Sequence, residues 1–213
     1  MKLHYNIASP YSQKVLIAFY EKGIEFTPTI IDLSNKEEHL AYKKLYPLGK
    51  IPLLTGDNEL FVPESGIIIE YLENEFSGQG TQLIPREKTA ARRTHLRERM
   101  IDLYVTDQIL ILYFDSIKPQ NQQNPQAVAK AHDTLSILFT SMDKDFASFT
   151  YAASNDFSIV DCALFGALFY AQQLHPFTEH ADITAYFARL MQRDSVKKVL
   201  TELMPALHAM QQK

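Results

Sequence analysis

Leu3-His4-Tyr5-Asn6-Ile7-Ala8-Ser9-Pro10-Tyr11-Ser12-Gln13-Lys14-Val15 begins as one kind of structure and ends as another. The apolar run 3–7 reads as a strand. It stops at Ala8-Ser9-Pro10, and a helical pattern continues through Val15, Ala18, Phe19 and Lys22 to Gly23. Ser9 is placed as the N-cap, Pro10 as the first helical residue and Gly23 as the C-terminal stop. A strand that feeds a helix N-terminus makes a small anion-friendly site, because free N–H groups and the helix dipole point at whatever sits there. A hydroxyl at that point can donate a hydrogen bond to a nearby thiolate. By itself, though, the pattern requires Ser9 only as a cap.

Further along, 25–32 reads as a strand and 35–44 as a short charged helix ended by Tyr46-Pro47-Leu48-Gly49. Strands at 51–54 and 60–62 flank Gly56-Asp57-Asn58, a hairpin turn signal. Pro63-Glu64-Ser65 then opens a helix over 65–75, with Ile68, Tyr71 and Leu72 on its inner face. This order predicts an α/β domain over 1–77. Ser77-Gly78-Gln79-Gly80-Thr81, closed by Pro85, marks a linker at 78–86.

Residues 87–213 read as an all-helical domain. A long helix over 87–117 carries Leu96, Met100, Leu103, Tyr104 and Ile111 at helical spacing, and a second long helix covers 126–146. Shorter helices at 183–191 and 195–208 finish the bundle. In Phe157-Ser158-Ile159-Val160-Asp161-Cys162, Ser158 can cap and Asp161 can reach back to the cap N–H. The apolar stretch that follows places this helix at the centre of the domain, with a folding role for Ser158 and Asp161 and a buried Cys162.

The totals exclude several classes. The chain has 213 residues, ordinary globular composition and a net charge of -4, which argues against a life on nucleic acid or anionic lipid. His4, Asn6, Ser9 and Pro10 interrupt any signal-peptide core, and no apolar run approaches a membrane span, so a cytoplasmic location is expected. A single cysteine allows no internal disulfide, and the seven histidines show no metal-ligand spacing, so no metal is expected.

Five blocks in order resemble the glutathione transferase superfamily: Ser9-Pro10-Tyr11-Ser12-Gln13-Lys14-Val15, Leu48-Gly49-Lys50-Ile51-Pro52-Leu53-Leu54, Pro63-Glu64-Ser65 with Ile68-Ile69-Glu70-Tyr71-Leu72, Leu83-Ile84-Pro85, and Phe157-Ser158-Ile159-Val160-Asp161. The resemblance implies a thioredoxin-like N-terminal domain followed by a helical bundle, and glutathione as co-substrate. Pro52 looks like the family's cis-proline, with the Ile51 backbone pairing to the cysteinyl residue. Ser65 would hold the γ-glutamyl carboxylate, Glu64 its ammonium, and Lys50 the glycyl carboxylate, with Lys36 or His39 assisting. Ser9 stands where serine-type members carry the thiolate-stabilising hydroxyl. Tyr5 stands where tyrosine-type members carry theirs, and Ser12 and Tyr11 are further candidates. Tyr11, Tyr104 and Phe114 are candidates for the electrophile pocket.

The resemblance implies a homodimer that conjugates glutathione to small hydrophobic electrophiles. Arg86, Lys88, Arg92, Arg93, Arg97 and Arg99 read as a solvated helix face or one side of a dimer interface. Tyr11-Ser12, Glu64-Ser65, the Phe157 to Cys162 block and Arg193-Asp194-Ser195 also resemble the stringent starvation protein A family, which implies an RNA-polymerase-associated regulator without transferase activity. Tyr46-Pro47 departs from the transferase pattern, which has Asn-Pro there.

Overall fold

The computed structural model describes residues 1–211, which form two compact units. One contains Met1–Leu83 together with residues 194–211, and the other contains Ile84–Arg193.

In the first unit, four strands, β1 (Lys2–Tyr5), β2 (Thr27–Ile30), β3 (Leu53–Thr55) and β4 (Phe61–Pro63), form one sheet in the order β2-β1-β3-β4. β1 pairs parallel to β2, while β3 runs antiparallel to both β1 and β4. Pro28 sits in the edge strand β2, where its missing N–H costs least. Helix α1 (Pro10–Lys22) is buried along most of its length and is stopped by Gly23 at φ 63. Helix α3 (Ser65–Glu75) packs beside it. Helix α2 (Lys36–Leu45), capped by Asn35, places Tyr42 against Tyr46 and Leu53. Tyr46, the departure from the family pattern, is thereby accounted for: it is buried, edge-on to both Tyr42 and Phe61.

The expected linker is pinned rather than free. Thr81 donates its N–H to the Glu21 carbonyl and its hydroxyl to the Glu21 carboxylate, while the buried Lys22 donates to Glu73 at 2.9 Å and to the Gln79 carbonyl.

The segment over 194–211, expected in the helical domain, belongs to this first unit. Helix α9 (Asp194–Gln211) packs on α1 through Val196, Val199 and Leu203, all fully buried at helical spacing. Ser195 donates to the second Glu21 oxygen and Tyr5 donates to Glu202, so polar bonds at both ends reinforce the apolar seam.

In the second unit, the long helix expected over 87–117 is continuous but not uniform. α4 (Lys88–Met100) passes through a π-helical stretch, Ile101–Thr106, into α5 (Asp107–Ser116), with the Asp107 N–H donating to the Asp102 carbonyl five residues back. Thr94, Glu98, Ile101, Val105, Ile109 and Leu112 face inward. Leu96, Met100, Leu103, Tyr104 and Ile111 form an exposed stripe. Helical spacing alone shows that a helix forms; packing against the neighbouring helices selects which stripe is covered.

α6 (Pro125–Phe146), α7 (Ile159–Leu174) and α8 (Ala181–Leu190) complete the unit. α7 is central as expected: every residue from Ile159 to Leu168 is buried. Fully burying a side chain such as Leu164, Phe165 or Leu168 stabilises by about 1.5–3 kcal/mol. Asp161 accepts from the Ser158 N–H and hydroxyl on one oxygen, and from the Ala152 N–H and the Tyr186 hydroxyl on the other. The capping box is therefore also a knot joining the preceding loop, α7 and α8. Among the described residues no helix is long and apolar enough to cross a membrane.

Replacing Asp161 with Ala strands these buried donors and is expected to lower unfolding free energy by about 3 kcal/mol, read by urea denaturation. At the other end of α7, the Nδ1 atoms of His132 and His175 are 2.8 Å apart. Burial, helped by the charges of His132 and His180, holds His175 below the ordinary histidine value. As pH falls below about 6.5 the unfolded chain binds that proton first, so stability present above this value is lost on acidification. Melting temperature should therefore fall between about pH 7 and 5.5, and His175→Asn should flatten that dependence.

Candidate functional site

The strand register brings the expected residues to one end of the sheet. β1 and β4 both run toward that end, β3 starts there, and His4 pairs with Leu53 while Leu53 pairs with Pro63. Continuing the register by one or two residues sets Asn6, Ile51-Pro52 and Glu64 side by side. β1 then enters the N-terminus of α1, and β4 enters that of α3. From β1 to β4 there are two interstrand gaps of about 4.8 Å, so the ledge is about 10 Å across, the length of roughly three extended residues.

The N-terminus of α3 is open. Its first internal bond runs from the Ile68 N–H to the Glu64 carbonyl, and no side chain caps it. Among the described residues the N–H groups of Ser65, Gly66 and Ile67, and the Ser65 hydroxyl, have no partner. Glu64, just ahead, holds φ 69 and ψ 123. A non-glycine residue there costs about 1–3 kcal/mol and persists only where its surroundings enforce it. The strained residue aims an uncapped helix end, its dipole and a hydroxyl at the ledge.

Beside it, the Ile51–Pro52 peptide is cis, as the resemblance implied. Among the described residues neither the N–H nor the C=O of Ile51 is hydrogen-bonded, leaving one donor and one acceptor for an extended ligand backbone. The Tyr42 hydroxyl donates to the Lys50 carbonyl at 2.8 Å, which steadies the loop and leaves the Lys50 side chain exposed.

Ser9 caps α1. Its Oγ accepts from the Ser12 N–H at 3.3 Å, and its own N–H donates to the Asn6 carbonyl at 3.0 Å. A hydroxyl that accepts from the backbone keeps its proton for donation outward, which is what a thiolate at this corner needs. The rival hydroxyls are differently placed. Tyr5 is buried and its hydroxyl donates to Glu202 at 2.7 Å; burial and that carboxylate push it far above the ordinary tyrosine value. Ser12 is fully buried, its Oγ accepting from the Asn6 N–H. Tyr11 is half-buried in the first turn of α1.

The tentative members separate as well. Lys36 is exposed at the start of α2. The His39 Nε2 is shut in without a partner, against Gly49, where a Cβ would come within 2.6 Å of it. Tyr104 and Phe114 belong to the other unit, where both are about half exposed and Phe114 lines a groove with Leu110, Ile111 and Ala127. Sequence reasoning did not single out Asn6 or Tyr42, which hold the loops carrying Ser9 and Lys50. Asn6 had a usable signal, since Asn after a strand favours an Asx turn; Tyr42 had none, because its hydroxyl acts through a tertiary contact.

Residues 3–80 match the N-terminal domain family of glutathione S-transferases, and residues 105–194 match the C-terminal domain family. A glutathione S-transferase of Silene vulgaris is 29% identical over 217 residues, covering 94% of this chain and 96% of that protein. A stringent starvation protein A homologue of Coxiella burnetii is 26% identical, covering 90% of this chain and 87% of its own. A crystal structure of a glutathione S-transferase from Methylobacillus flagellatus with glutathione bound superposes with a TM-score of 0.83 at 27% identity, covering 93% of this chain and 98% of that one.

Tyr5→Phe is expected to lower stability by about 1 kcal/mol through loss of the bond to Glu202, read by denaturant midpoint. Because that hydroxyl points at α9 and not at the ledge, any small anion held at the open end of α3 should bind with unchanged affinity, measured calorimetrically.

Proposed function

We propose that this chain, which belongs to the glutathione S-transferase superfamily through both of its domains, is a serine-type transferase that joins the glutathione sulfur to small apolar electrophiles. The observation that carries the reading is the ledge itself: the half-buried capping hydroxyl of Ser9 at the start of α1, backbone groups of Ile51 without partners among the described residues, and an uncapped end of α3, set along a line of tripeptide length.

In this reading the γ-glutamyl carboxylate lies on the Ser65 N–H and hydroxyl, with Glu64 meeting the ammonium. The cysteinyl residue pairs with the Ile51 backbone beside Pro52, and Lys50 meets the glycyl carboxylate, with Lys36 nearer solvent. His39, enclosed against Gly49, supports the loop instead of touching ligand. The thiol then reaches Ser9. A free thiol has a pKa of about 8.5, so a two-unit shift, about 2.7 kcal/mol, makes thiolate predominate at neutral pH. One hydroxyl donor together with the end of α1 is an adequate source of that energy.

With 1-chloro-2,4-dinitrobenzene the sulfur lone pair forms a C–S bond at the ring carbon bearing chlorine, and chloride leaves with the C–Cl pair. The thiol proton has already gone to solvent. Tyr11, half-buried in the first turn of α1, is proposed to contact the electrophile. The exposed apolar stripe running from α4 to α5, flanked by Arg92, Arg93 and Arg99, supports a homodimer.

A second reading, an RNA-polymerase-associated regulator, is supported by the near full-length likeness to a stringent starvation protein A homologue. The hydroxyl kept at Ser9 and the lysine kept at Lys50 favour the enzyme.

The wild type should bind immobilised glutathione and turn over chloro-dinitrobenzene. Ser9→Ala should lose about a hundredfold in kcat/KM, with the KM for glutathione changed less than about threefold. Ser65→Ala should instead raise that KM by about tenfold or more. A wild type that neither binds nor reacts, yet copurifies with RNA polymerase, would establish the regulator.

A further inference from the structure

Ser9 can act only if its hydroxyl is held in one place, and the holding is done by a closed ring of hydrogen bonds that starts and ends on Asn6. The Asn6 C=O accepts from the Ser9 N–H at 3.0 Å, the Ser9 Oγ accepts from the Ser12 N–H at 3.3 Å, and the Ser12 Oγ accepts from the Asn6 N–H at 3.4 Å. The Asn6 side chain locks this ring from both sides. Its Oδ1 accepts from the Ala8 N–H at 3.0 Å, shaping the turn, and its Nδ2 donates to the Ile31 carbonyl at 3.0 Å. Ile31 in turn donates its N–H to the Tyr5 carbonyl at 2.8 Å, so the anchor is the last rung of the β1–β2 pairing. The Asn6 side chain therefore fastens the turn bearing Ser9 to the sheet, while the Gln13 side chain donates to the Ile7 carbonyl from α1.

We propose that Asn6 is a positioning residue for the transferase reaction, fixing Ser9 so that its proton points at the glutathione sulfur; this rests on the transferase reading above. The identity of the residue matters. Alanine removes both side-chain bonds. Serine can keep the acceptor for the Ala8 N–H in an equivalent turn, but has no donor that reaches Ile31. Neither change touches the groups that bind the tripeptide's ends, so affinity for glutathione and acidity of the thiol should separate.

The test is the pH profile of kcat/KM for chloro-dinitrobenzene in the wild type, Asn6→Ala and Asn6→Ser, with amide exchange at Ala8 and Ser9 as a check on the turn. For Asn6→Ala the acid-limb midpoint should rise by about one unit. Activity should then be about tenfold low below the wild-type midpoint and converge on wild type at high pH, where the thiol ionises unaided. The KM for glutathione should stay within about threefold, and Ala8 and Ser9 amides should exchange faster. Asn6→Ser should fall between the two. A uniform loss at every pH, or an unmoved midpoint in an active variant, overturns the positioning role while leaving the transferase reading intact. A wild type that neither binds glutathione nor reacts overturns both.

Discussion

Backbone polar groups must find partners, and at one end of this sheet several find none among the described residues. Among the described residues, the amides of Ser65, Gly66 and Ile67, the Ser65 hydroxyl and both polar groups of Ile51 have no partner along a short ledge. Helix ends and strand edges are ordinarily closed by caps, turns or neighbouring strands. Leaving them open is tolerable only where water or a ligand completes them. Glu64 at φ 69 shows that the backbone is held in an uncommon conformation at the same place. Strain and unmet hydrogen bonding coincide, which marks this end of the sheet as the place where a ligand contributes most.

The two helix ends at this ledge are unlike in a way that suits different chemistry. α3 is bare and presents amides to an anion. α1 is capped by Ser9, so its amides are partly satisfied, and the capping hydroxyl still has a proton to donate. One end suits a permanent carboxylate, the other a group that must lose a proton to become negative. A glutathione molecule carries both, on adjacent residues.

What could be read from the chain in advance was what depends on near neighbours in sequence. The start of α1 at Ser9-Pro10, the start of α3 at Ser65 and the capping box at Ser158 and Asp161 rest on signals within a few positions, and each stands where expected. What escaped depended on distant partners. Leu96, Met100 and Leu103 repeat as regularly as the residues that are buried, so spacing could not tell that their stripe faces outward. α9 reads like any other helix of the bundle until Val196, Val199 and Leu203 are seen against α1. Within the candidate site, Tyr5 is the alternative to Ser9 in the sequence, and only its bond to Glu202, far along the chain, shows that its hydroxyl is engaged elsewhere.

The central claim is that a hydroxyl at the head of α1 keeps a bound thiol ionised, and the most direct measurement is the ionisation of that thiol itself. Glutathione labelled with 13C at the cysteinyl Cβ, titrated in complex with the protein and followed by NMR, reports it without any electrophile. The account predicts a midpoint about two units below the free value of about 8.5. A bound thiol that titrates at the free value, or glutathione that does not bind, would contradict it.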